Sequence, residues 1–115
     1  MIEQGIAHLG KIGLQGHSWS GFQTSYLVTK TDLFTCANIG APITDMVTGY
    51  LGIRGGSGLP RYFMYEEWQS RMGKNLWEAK DKYLASSAII EADKIHTPLL
   101  IWHNDKDEAV AYEQG

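Results

Sequence analysis

The sequence predicts an α/β protein in which parallel strands alternate with helices. Three observations carry this. Gly16-His17-Ser18-Trp19-Ser20-Gly21 sets small residues around a serine, between an apolar run and a helix-like stretch. Residues 34–39 and 98–103 are continuous apolar runs, the pattern of strands buried on both faces of a parallel sheet. Gly40-Ala41-Pro42 ends the first run, and the polar loop Asn104-Asp105-Lys106-Asp107-Glu108 follows the second.

Taken in chain order, residues 2–9 read as the last turns of a helix, with Gly10 as its C-terminal stop. Residues 11–15 form a short strand, and 20–29 the helix after the serine turn, with Phe22, Tyr26 and Leu27 on one face. Thr31-Asp32 breaks that helix before strand 34–39. Residues 43–64 are crowded with Gly49, Gly52, Gly55, Gly56, Gly58 and Pro60, which predicts a long excursion with one short helical turn around Asp45 to Tyr50. Residues 65–72 form a short helix stopped by Gly73; Asn75 caps another through Leu84, with a last turn at Ser86-Ser87. Strand 98–103 follows, then the polar loop, and Val110 starts a final helix.

A chain of 115 residues supports one domain, here residues 1–115, with a modest core. A net charge of -3 leaves no basic stripe, so a nucleic-acid partner is not expected. No apolar run approaches the roughly 20 residues of a membrane span. The N-terminus lacks the basic start and apolar stretch of a signal peptide, and the compartment is left open. The single cysteine, Cys36, forms no internal disulfide and is expected as a buried thiol. The four histidines lack metal-ligand spacing, so neither a metal nor a cofactor is expected. The run Gly52-Ile53-Arg54-Gly55-Gly56-Ser57-Gly58 follows no strand, opens no helix and lacks a P-loop lysine, which argues against nucleotide binding. Glu66, Glu67 and Trp68 read as a solvated helix face, and Trp77 and Tyr83 as core or lid packing.

The chemistry centres on Ser18. A small residue, a spacer, a serine, a spacer and another small residue between strand and helix describe a nucleophile elbow. The turn strains the serine backbone and lifts its hydroxyl clear of the sheet. Gly16, Ser20 and Gly21 are small because strand and helix nearly touch there. The expected architecture is a partial α/β-hydrolase fold: strand, elbow, helix, strand, excursion, strand. A serine needs a base, a carboxylate to hold it and donors for the oxyanion. In this fold the acid follows the serine on the loop after a later strand. Asp107 is placed that way, and Asp105 competes from the same loop.

The two motifs together resemble the prolyl oligopeptidase family of serine peptidases. Residues 16–21 resemble its serine motif, and residues 98–110 its acid motif, with Asp107 on the catalytic aspartate and Val110 on the valine that follows. Ala41-Pro42 matches a family Ala-Pro. The resemblance covers nearly the whole chain, as the C-terminal part of the hydrolase domain. It implies peptide substrates, an acyl-enzyme on Ser18, Asp107 as the orienting acid, the Trp19 N–H as an oxyanion donor, and Met46 and Tyr50 in the substrate pocket. Ser20 and Asn104 stand where the family has glycine. The first predicts a tighter elbow; the second relies on asparagine's tolerance of left-handed backbone.

The family histidine is expected some tens of residues past the aspartate, and the sequence ends at Gly115. The strands before the elbow, the second oxyanion donor and the family's β-propeller fall outside as well. The chain is therefore expected to be incomplete or inactive by itself. His17 reads as elbow packing, while His8 and His96 lie away from the strands' C-terminal edge. His103 matches a structural histidine of the motif and is the one positioned candidate base. Two other readings stay open. One is a non-catalytic remnant that buries its exposed strand edge by homo-oligomerisation or against a partner supplying further strands. The other is an esterase on the same fold.

Overall fold

The computed structural model describes all of residues 1–115. Strands β1 (Gly13–His17), β2 (Cys36–Gly40) and β3 (Leu99–Trp102) form one parallel sheet in the order β1-β2-β3. Gln15 pairs with Asn38 and Asn38 with Leu100, so the strands lie in register along the whole sheet. Helix α1 (Trp19–Val28) makes the crossover from β1 to β2 and packs on both. The excursion between β2 and β3 holds α2 (Met46–Leu51), a π-helical turn (Met64–Trp68), α3 (Lys80–Ala85) and a 3-10 segment (Ala88–Lys94). A second 3-10 turn (Tyr112–Gln114) closes the chain.

The two faces of the sheet differ. Ile39, Leu99 and Ile101 point toward α1 and the 88–94 segment, across a narrow cavity of about 140 Å³. The opposite face carries Gln15, Cys36, Asn38, Leu100 and Trp102 and has no helix on it. Leu100 is 64% exposed and Trp102 49%. This corrects the expectation of strands buried on both faces. It also corrects the expected burial of Cys36, which is exposed, because β2 presents it on the uncovered side.

The principal hydrophobic cluster lies beyond the sheet, within the excursion. Ile43, Met46, Tyr65, Met72, Leu76 and Tyr83 pack together there, and Val110 joins them from the loop after β3. The excursion is thus a small subdomain whose core includes part of the acid loop. Asp45 caps α2, its Oδ1 accepting from the Val47 N–H at 2.9 Å.

Other elements depart from the sequence reading. Residues 2–9 form turns rather than a helix, with Gly5 and Gly10 at φ 69° and 79°. Nothing packs on this segment: Met1, Ile6 and Leu9 are exposed, and a short helix without tertiary support is marginal in water. Asn75 caps a single turn, its Oδ1 accepting from the Glu78 N–H, and α3 begins only at Lys80. Residues 88–94 form a 3-10 segment that the sequence reading does not assign, and Val110 leads into one 3-10 turn in place of a helix.

Candidate active site

The strands are parallel, so β1 and β3 deliver their following loops to the same edge of the sheet. Ser18 follows β1 there and Asp107 follows β3. Ser18 sits at φ 58° and ψ -118°, a region that non-glycine residues enter only under constraint. Its N–H donates to the Gly40 carbonyl at 2.8 Å, and its carbonyl accepts the Phe22 N–H, the first bond of α1. The Ser18 hydroxyl makes no hydrogen bond within the chain. A Cβ on Gly16 would lie 2.1 Å from the Ser20 carbonyl oxygen, and one on Gly21 would lie 2.7 Å from the Gly40 oxygen. Glycine at both positions is what lets strand and helix meet at this angle.

Ser20 bonds back across the elbow. The His17 N–H donates to Ser20 Oγ at 2.9 Å, and the Ser20 hydroxyl donates to the His17 carbonyl at 2.8 Å. The hydroxyl therefore ties the end of β1 to the first turn of α1. The Trp19 N–H, at the first position of α1, has no acceptor in the chain. It is one of the donors that a helix start leaves without an intrahelical partner.

The acid loop is equally defined. Asp107 Oδ1 accepts the N–H groups of Ala109 at 2.8 Å and Val110 at 2.9 Å. These bonds, Val110's foremost, hold the carboxyl below the usual aspartate range, with the charges of His103 and His17 adding in the same direction. Asp105 is an exposed residue of the same loop with no such partners. Asn104 does not adopt left-handed backbone. Instead its side-chain oxygen accepts the Lys106 N–H at 3.0 Å and its carbonyl the Asp107 N–H at 3.1 Å, so a side-chain turn replaces the expected glycine-like one.

His103 is enclosed, with Nε2 3.1 Å from the Val110 carbonyl and 3.8 Å from Asp107 Oδ2. It braces the acid loop and makes no hydrogen bond to Ser18. His17 stacks on Trp102, ring centroids 5.0 Å apart. Trp102 in turn donates from Nε1 to Asn38 Oδ1 at 3.1 Å. None of these imidazoles is positioned on the serine hydroxyl.

Met46 is fully enclosed in the excursion core, so it shapes its surroundings from behind and offers no open wall. Tyr50 is buried in a ring of aromatic neighbours: Tyr62, Tyr65, Trp77 and Tyr83 all lie within 6.3 Å of its centroid. Its hydroxyl donates to Glu66 Oε1 at 2.5 Å. Burial and Glu66 together push the Tyr50 phenol up. Glu66 is therefore a partly buried partner of Tyr50 rather than a member of a solvated face, although Glu67 and Trp68 are exposed as expected. Tyr65 connects this cluster to the elbow through an edge contact with Trp19, centroids 6.2 Å apart. Neither Glu66's role nor that contact is signalled by local sequence.

The model of the prolyl oligopeptidase family matches residues 1–115. This chain belongs to the prolyl oligopeptidase family. Among curated proteins it is 28% identical over 107 residues to a probable chloroplastic glutamyl endopeptidase of Oryza sativa subsp. japonica, covering 93% of this chain and 10% of the relative. It is 28% identical over 106 residues to the peptidase YuxL of Bacillus subtilis, covering 91% of this chain and 15% of that protein. Among solved structures, a puromycin hydrolase superposes with a TM-score of 0.79 at 20% identity, over 98% of this chain and 16% of its own. The Pyrococcus horikoshii acylaminoacyl peptidase gives 0.74 at 24% identity, over 98% and 18%. The chain of this prolyl oligopeptidase-family member thus spans under a fifth of the proteins it matches, and its three strands have the arrangement of their α/β-hydrolase fold.

Proposed function

We propose that these residues carry the nucleophile and the orienting acid of a serine peptidase, with Ser18 forming the acyl-enzyme. The observation that carries the reading is the backbone of Ser18, held at φ 58° between β1 and α1 with its hydroxyl unbound. In this reading the Ser18 oxygen attacks the peptide carbonyl and gives its proton to a histidine. The Trp19 N–H receives the developing oxyanion. Asp107, kept ionised by two backbone donors, orients that histidine and stabilises its cation. The histidine then protonates the leaving amine, and water releases the acyl group by the same steps in reverse. His17 and His103 are engaged with Trp102 and the acid loop, and His96 lies before β3, at the end of the strand away from the elbow, so in this reading the base is a histidine from outside these four. In this reading Tyr50 and Met46 shape the substrate pocket from behind, within the excursion core. The relatives' names favour peptides over esters.

A fluorophosphonate probe followed by peptide mapping tests this. In a polypeptide that carries these residues together with a downstream histidine, one adduct is expected on Ser18 and none in Ser18→Ala. Turnover of a dipeptide p-nitroanilide should exceed that of p-nitrophenyl acetate relative to their uncatalysed rates. Full peptide turnover by Ser18→Ala would refute the assignment. The 115-residue chain alone is expected to label only at trace level.

A second reading concerns assembly. Leu100 and Trp102 lie exposed on the bare sheet face, and β1 and β3 both end the sheet with unpaired edges. Self-association, or a partner supplying further strands, would cover them.

A further inference from the structure

We infer that Arg61 is a positioning residue for Asp107, acting through the peptide unit that joins Ala109 to Val110. The inference rests on Asp107 being the orienting acid of the site. Arg61 is 6% exposed and lies in no ion pair. Its Nη1 donates to the Ala109 carbonyl. That carbonyl shares its amide with the Val110 N–H, which donates to Asp107 Oδ1 at 2.9 Å. Guanidinium, amide and carboxylate therefore form one continuous row. A cation at the carbonyl oxygen polarises the amide and makes its N–H a stronger donor. The charge of Arg61 thus reaches a carboxylate that it does not touch.

The placement of Arg61 is itself enforced. Its N–H donates to the Gly52 carbonyl at 3.2 Å, and an antiparallel bridge between Ile53 and Pro60 closes the intervening loop. From the tip of that loop the Gly56 N–H donates to the Glu108 carbonyl at 3.2 Å. The glycine-rich loop grips two successive carbonyls of the acid loop, one through its backbone and one through Arg61. Burying a guanidinium without a counter-ion is costly, and here Nε also lacks a partner. An apolar side chain would fill the space at lower cost but could not polarise the amide.

The other charged groups around Asp107 are His103, 3.8 Å from Oδ2, and His17 at the end of β1. Neither imidazole is altered in the variants compared below, so their contribution is common to all of them. The test is a carbon-13 titration of the Asp107 carboxyl in the 115-residue chain. Arg61→Gln keeps a donor for the Ala109 carbonyl and removes the charge; Arg61→Lys keeps the charge. The midpoint is expected to rise by about 0.5 to 1 pH unit in Arg61→Gln and to stay within about 0.2 in Arg61→Lys. Wild-type midpoints in both variants, or an equal rise in both, overturn the inference. So does a failure of both variants to fold while Asp107→Asn folds, which would make Arg61 a structural post. The titration is independent of Ser18 labelling, so a failure of the nucleophile assignment is read separately.

Discussion

At the scale of single residues, the elbow is constrained by contacts that leave no room for a methyl group. Gly16→Ala must push the Ser20 carbonyl aside, and a destabilisation of about 1–3 kcal/mol is expected in urea unfolding. Ser20→Ala removes both bonds to His17, each worth about 0.5–1.5 kcal/mol net. Ser20→Gly, which restores the family's residue, should lose the same bonds and so be less stable than the wild type. Asp107 adds a pH dependence. Its folded-state carboxyl titrates below the ordinary 3.8, so its contribution to stability is complete above that value. The contribution is lost as the pH falls through the lower, folded-state value. Asp107→Asn should therefore flatten the acid limb of a plot of unfolding free energy against pH. In an assembled enzyme the same change should lower kcat by about 10⁴-fold, read with a peptide substrate at saturation. The turn at Gly16 and Ser18 and the loop that carries Asp107 were legible in the sequence because each depends on a local pattern. Arg61 and Glu66 were not, since their partners, Ala109 and Tyr50, lie far off along the chain.

Among the elements, the three strands and α1 fall within about two residues of where the apolar runs and the elbow put them. Their signal is strong because a tight turn fixes one end of each. The excursion was read less well. Its helices are one or two turns long, and tertiary contacts rather than periodicity decide where they begin. The 2–9 segment fails for the opposite reason: its apolar residues meet no partner. The aromatic cluster of the excursion gives a test at this scale. Burial pushes the Tyr83 phenol up to about 12, with Tyr50 and Glu66 adding to it. A raised folded-state value means that Tyr83 favours the native state fully below about pH 10, and that this preference is lost as the pH climbs toward 12. Tyr83→Phe gives up the bond to the Lys74 carbonyl but cannot ionise. It should unfold at a higher pH than the wild type in an alkaline titration followed by circular dichroism, even where it is less stable at neutrality.

For the whole molecule, the expected consequence of a one-sided sheet is association. The expectation of strands enclosed on both faces came from unbroken apolar runs, which record what a strand is suited to meet and not whether this chain supplies it. Sedimentation velocity over a range of concentrations should show reversible self-association, weakened by Leu100→Lys on the bare face. A single monomeric species at every concentration would remove the case for assembly through that face. Cys36 makes the same face observable in another way. It is the sole thiol, it is exposed, and it stands among the residues of the uncovered side. A maleimide dye would attach there and nowhere else, turning the sheet into its own footprinting probe. Rapid modification in the free chain, and protection once a binding partner or further strands are present, would chart the covering of this surface without any measurement of catalysis.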